Sequence, residues 1–138
     1  VVGVGRLPPT PASIDAVCKC AHEQGGIVIA PHPFALFQGI NDELFAADVD
    51  AVETHNFRYD LPAQTRQAEA ARARLDLAAT AGSDAHALDQ LGRFCTVFDQ
   101  PLLDDDDLIA ALKDHLGRPH PAPPPGPLRR WLAGWRQG

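Results

Sequence analysis

Three short apolar runs in this chain each stop at a histidine, a carboxylate or both: IVIAPHPF (Ile27–Phe34), DAVETHN (Asp50–Asn56) and LAATAGSDAH (Leu77–His86). Runs this short, flanked by Gly and Pro, suit strands of a parallel sheet buried on both faces. A helix precedes the first. Thr10 is placed to cap it, Pro11 suits its first position, and Ile14, Val17, Cys18 and Ala21 share one face. Gly25 and Gly26 end it. An Ala-rich helix, LPAQTRQAEAARARLDL, separates the second and third runs. A fourth strand is expected over Arg93–Asp99. DDDDLIAALKDHLG then reads as a helix with acid in its first turn, Lys113 and His115 in its last, and Gly117 behind it. The order is helix, strand, strand, helix, strand, strand, helix, which implies a layered α/β fold with a mainly parallel sheet.

In such sheets ligands gather at the carboxyl ends of the strands. The first run ends at His32, the second carries Glu53 and His55, and the third ends at Asp84 and His86. Residues two apart on an extended segment point to one side, about 6.5 to 7 Å apart. Asp84 and His86 can therefore share a cavity, and so can Glu53 and His55. Carboxylate oxygen and neutral imidazole nitrogen are the usual ligands of zinc, manganese and iron in hydrolytic sites. Each residue also has a plainer role open to it: His32 as a hydrogen-bonded surface histidine, Asp84 as a helix cap, Glu53 as an arginine's partner.

The 138 residues suffice for about one domain. A net charge of −6 argues against a nucleic-acid binder. Cys18, Cys20 and Cys95 are an odd number without disulfide spacing, so a reducing, cytoplasmic setting is expected. Nothing resembles a secretory signal or a membrane-spanning run. The opening VVGVG resembles the tail of a buried strand, and the sequence has no methionine. Both suggest a piece of something longer.

GGIVIAPHPF, DAVETHN and TAGSDAHALDQLG together resemble the later motifs of the PHP (polymerase and histidinol phosphatase) superfamily of metal-dependent phosphoesterases. The similarity runs from Thr10 to Asp99. GSDAH followed by LG is its most specific part. The resemblance implies the C-terminal half of a distorted (β/α)7 barrel, mainly parallel, with two or three metal ions (Zn, Mn or Fe) at the strand ends. It also implies His32, Asp84 and His86 as metal ligands, with Asp84 and His86 close to the reacting phosphate. Glu53, His55 and Asn56 lie in a family-like segment and are candidates for the pocket or the metal. In such a site metals clamp phosphate oxygens and acidify water. The substrate would be a phosphorylated small molecule or nucleotide-type ester.

The sequence departs from the family in one respect. The H-x-H motif of the first strand, and the ligands soon after it, have no counterpart before His32; His22 stands alone in a helix. The missing N-terminal half or a partner chain would have to complete the barrel. Two other classes stay open: a non-catalytic half-barrel that binds a partner, and an amidohydrolase-like metal hydrolase.

The domain is expected over residues 1–118, with a proline-rich spacer over 119–127 and a basic amphipathic tail over 128–138. Pro119, His120 and Pro121 repeat the tripeptide at His32 but lack a strand before them, and read as chance. Leu128, Trp131, Leu132 and Trp135 share one helical face, suited to docking on the domain and less to a membrane surface. Asp104–Asp107 lacks the alternation of a calcium loop and suits a helix start.

Overall fold

The computed structural model of the protein describes residues 1–59 and 61–121. The spacer from Ala122 onward and the basic tail lie outside the described residues. The elements are α1 (Ile14–His22), β1 (Ile29–Ala30), a 3-10 helix (Asn41–Phe45), β2 (Ala51–Asn56), α2 (Pro62–Leu75), β3 (Ala78–Gly82), a second 3-10 helix (Leu88–Gln90), β4 (Phe94–Val97), α3 (Asp105–Lys113) and β5 (Arg118–Pro121).

β1, β2 and β3 form a parallel sheet in that order, with Ile29 opposite Ala51 and Ala51 opposite Ala78. Alternation along the strands sends side chains to two cores. Val28, Ala30 and Val52 pack with Cys18 and Ala21 of α1 and Ala71 of α2. Ile27, Ala51 and Ala78 pack with Ile109 and Leu112 of α3. Helices thus cover both faces, which is why each of these strands opens on two consecutive apolar residues, Ile29–Ala30, Ala51–Val52 and Ala78–Ala79.

The expected α/β class is present, with four corrections. First, α1 is capped by Ser13, whose side chain accepts from the Ala16 N–H at 3.2 Å, and Thr10 lies three residues before that cap. Both are good caps, but the apolar face begins at Ile14 and the adjacent serine captures the helix start. Second, VVGVG is not a strand; Val2 makes a single antiparallel bridge to Ile27. Third, β4 does not extend the parallel sheet. It pairs antiparallel with β5, Phe94 opposite Pro121 and Val97 opposite Arg118. Residues 119–121 therefore belong to a strand and not to a spacer. Pro119 and Pro121 lack N–H groups but sit two apart, so both gaps fall on one side and leave Arg118 and His120 to pair. Fourth, α3 ends at Lys113, so His115 lies outside its last turn. His115 takes the left-handed conformation (φ 57), and Leu116 N–H donates to Ala111 O at 2.9 Å, a helix-ending motif.

β4 still touches the sheet. The Thr96 side-chain oxygen accepts from Ala81 N–H at 3.0 Å and lies 3.2 Å from Ala81 O, to which it donates. Asp104 caps α3 by accepting from Asp107 N–H at 2.9 Å, while the Asp107 carboxylate accepts from Leu103 N–H at 2.8 Å. That reciprocal arrangement accounts for the acidic run.

Candidate metal centre

The parallel strands run the same way, so the segments that follow them meet at one rim. His32 follows β1, Asn56 ends β2, and Asp84 follows β3. Two of these residues have unusual backbones: φ is +28° at His32 and +44° at Asp84. Left-handed conformations are uncommon outside glycine, though Asp and His are among the residues enriched there, and strained ones cluster at functional sites.

The His32 turn is heavily tied. Its N–H donates to Glu53 Oε2 at 2.8 Å, and the same oxygen accepts from Asn56 Nδ2 at 2.8 Å. Asn56 Oδ1 in turn accepts from the N–H groups of Arg58 and Tyr59. The Tyr59 ring lies 5.0 Å from the His32 ring, and its hydroxyl donates to Gln38 Oε1 at 2.6 Å. His32, Glu53, Asn56, Tyr59 and Gln64 line a pocket of about 10 Å³, roughly the room one water needs. Two polar atoms of this lining, His32 Nδ1 and Gln64 Oε1, are buried without a hydrogen-bond partner among the described residues.

Asp84 and His86 stay together as their spacing implies. His86 Nδ1 donates to the Asp84 carbonyl at 2.8 Å and lies 3.8 Å from its carboxylate. Donation from Nδ1 leaves Nε2 of a neutral ring with its lone pair, the arrangement in which metal-binding histidines are usually held. The His86 N–H donates to Gln90 Oε1 at 2.8 Å. Asp84 caps no helix, since the next element begins at Leu88 without a side-chain cap.

Glu53 and His55 part company. The β2–β3 register sets Glu53 opposite Thr80 but His55 opposite Ala81, so β2 carries one extra residue, Thr54. Such a bulge re-aims the side chains beyond it. Glu53 reaches the His32 turn. The His55 ring stacks 6.5 Å from Phe94, and its Nδ1 lies 2.9 Å from Thr54 Oγ1 and 3.8 Å from Glu69. Asn56, three residues after Glu53, is the one that shares its pocket.

His22, solitary in the sequence, has partners in space. Its Nε2 lies 2.9 Å from Asp50 Oδ2 and its Nδ1 3.4 Å from Asp48. Asp50 Oδ2 also accepts from Val28 N–H at 2.7 Å. These groups precede β1 and β2, so they tie α1 to the opposite edge of the sheet. Nothing in the local sequence signals that tie, because it joins segments 28 residues apart.

The donors are of the types that take a divalent cation, but the pocket that His32 lines does not include Asp84 or His86. The His32 imidazole, whose Nδ1 is unpartnered among the described residues, and the Asp84–His86 pair follow β1 and β3 at the same end of the sheet. They do not close into a complete set: among the described residues no three His, Cys, Asp or Glu side chains are grouped to hold a metal.

Residues 62–115 match the family described as PHP-associated. A solved structure of a candidate metal-dependent phosphoesterase from Bifidobacterium adolescentis ATCC 15703 superposes with a TM-score of 0.52 at 28% identity, over 78% of this chain and 38% of that one. The chain thus spans well under half of that relative's length. No curated protein matches it. The two matches support the resemblance to a C-terminal part of the PHP superfamily.

Proposed function

We propose that this chain supplies one arc of the active site of a metal-dependent phosphoesterase, contributing His32, Asp84 and His86 to a divalent cation of the zinc, manganese or iron type. The observation that carries this reading is the pairing of left-handed backbone at His32 and Asp84 with a buried His32 Nδ1 that is unpartnered among the described residues. Non-glycine residues held in that region cost about 1–3 kcal/mol each when the surroundings impose it. When bound, the cation supplies positive charge for phosphate oxygens and an acidified water.

The chain's own part is to aim donors at that place. The backbone carbonyl of Asp84 holds a proton on His86 Nδ1 and turns Nε2 outward. The His86 side chain is 59% exposed, which leaves it open to a phosphate ester arriving at the rim. The substrate class is a phosphate mono- or diester of a small molecule or nucleotide. Further ligands, and the rest of a (β/α)7-type barrel, would come from other sequence or a partner chain, and a reducing cytoplasm would suit the free thiols.

A second reading, a non-catalytic module, is favoured by the absence of a closed three-donor group among the described residues. Metal analysis of the purified chain, followed by turnover of a generic aryl phosphate with Mn or Zn added, separates the two. The first reading expects metal bound by the wild type, lowered at least about tenfold in affinity by His32→Ala, with the fold kept. A metal-free, inert chain favours the module.

A further inference from the structure

We infer that Glu53 is a positioning residue and not a metal ligand: its carboxylate is a clamp that holds the His32 turn on one side and fits against Gly82 on the other. The inference rests on the metal reading above, and it assigns a role within that site.

Glu53 Oε2 accepts both from the His32 N–H and from Asn56 Nδ2, each at 2.8 Å. Two donors on one oxygen leave little of its lone-pair capacity for a cation. The other oxygen, Oε1, lies against Gly82, where a Cβ would collide with it. Gly82 ends β3, two residues before Asp84. One side chain on the central strand therefore meets the segments that carry the two left-handed candidate ligands. A carboxylate receiving backbone N–H donation makes hydrogen bonds stronger than neutral ones, which suits a group that must hold His32 at φ +28°. The bulge at Thr54 delivers this geometry, because it separates Glu53 from His55 and brings Asn56 round beside it.

Gly82 needs no left-handed backbone, since its φ is not positive. Its lack of a side chain matters for space. The atom a Cβ would strike is the tip of a flexible side chain, so Gly82→Ala should leave the strand in place and push the carboxylate off the His32 N–H.

The test follows the His32 amide by residue-resolved hydrogen exchange in the whole chain, with a zinc titration on the same samples. Glu53→Ala should speed exchange at His32 roughly 10- to 100-fold, the loss of a hydrogen bond to a charged group. Glu53→Gln keeps an acceptor oxygen, and should stay near wild type in both exchange and zinc affinity. Gly82→Ala should speed exchange as Glu53→Ala does, and the double variant should be no faster than Glu53→Ala alone, since both act through one contact. The inference is overturned if Glu53→Ala leaves His32 exchange unchanged, if the Gly82 and Glu53 effects simply add, or if Glu53→Gln loses zinc as completely as His32→Ala. Should the wild type take up no zinc, the metal reading fails by itself, and the amide arm alone decides the clamp.

Discussion

At the scale of single residues, environment decides what each reactive group can do. Cys18 is buried in the α1 core, and burial, with Asp48, Asp50 and Asp15 nearby, raises its thiol pKa. The thiolate is the nucleophile, so Cys18 should react slowly. Brief alkylation at neutral pH with mapping by mass spectrometry should label the more accessible Cys20 and Cys95 well before Cys18. The folded state holds this proton more tightly than the unfolded chain does. Its contribution to stability is therefore full below the ordinary thiol pKa and is lost as pH rises through the raised value. Denaturant midpoints compared near neutrality and in alkali, in wild type and Cys18→Ser, should show the wild type losing more. Gly117 is constrained by space: a Cβ would meet Thr96 Cγ2 at 2.9 Å and Phe98 Cε1 at 3.2 Å. Gly117→Ala should cost about 1–3 kcal/mol in equilibrium unfolding.

At the scale of elements, the start of α3 and the strand cores were legible because their causes are local, while the caps of α1 and the end of α3 were displaced by a few residues. Asp104 stands before an apolar-periodic segment, and it caps α3 as placed; Asp104→Ala should lower stability by about 1 kcal/mol in urea unfolding. The three parallel strands were readable from apolar runs bounded by Gly, Pro and polar residues. The features that escaped depend on what is far away in sequence. The bulge at Thr54 has no Gly or Asn to announce it, and is set by how β2 must meet both β1 and β3. β5 was hidden by its prolines, whose tolerance depends on an edge that exists only once β4 is in place. At the candidate site the sequence placed histidines and carboxylates at the ends of the parallel strands. It could not distinguish Glu53, tied to the His32 turn, from His55, drawn to Phe94 and Glu69.

At the scale of the whole molecule, the parallel sheet gathers its polar residues at one end and ties its helices at the other. His22, Asp48 and Asp50 join α1 to the edge where β1 and β2 begin. His32, Asn56 and Asp84 lie where the strands finish. β1 stands at the edge of the sheet, with a ladder on one side only. No helix among the described residues is long and apolar enough to cross a membrane. The direct test of the central claim is a crystal structure of the chain grown with zinc, with anomalous differences recorded at the zinc edge. The account predicts a peak at the strand-end rim within bonding distance of His32, Asp84 and His86. A peak elsewhere with the rim empty, or none at saturating zinc, would contradict it.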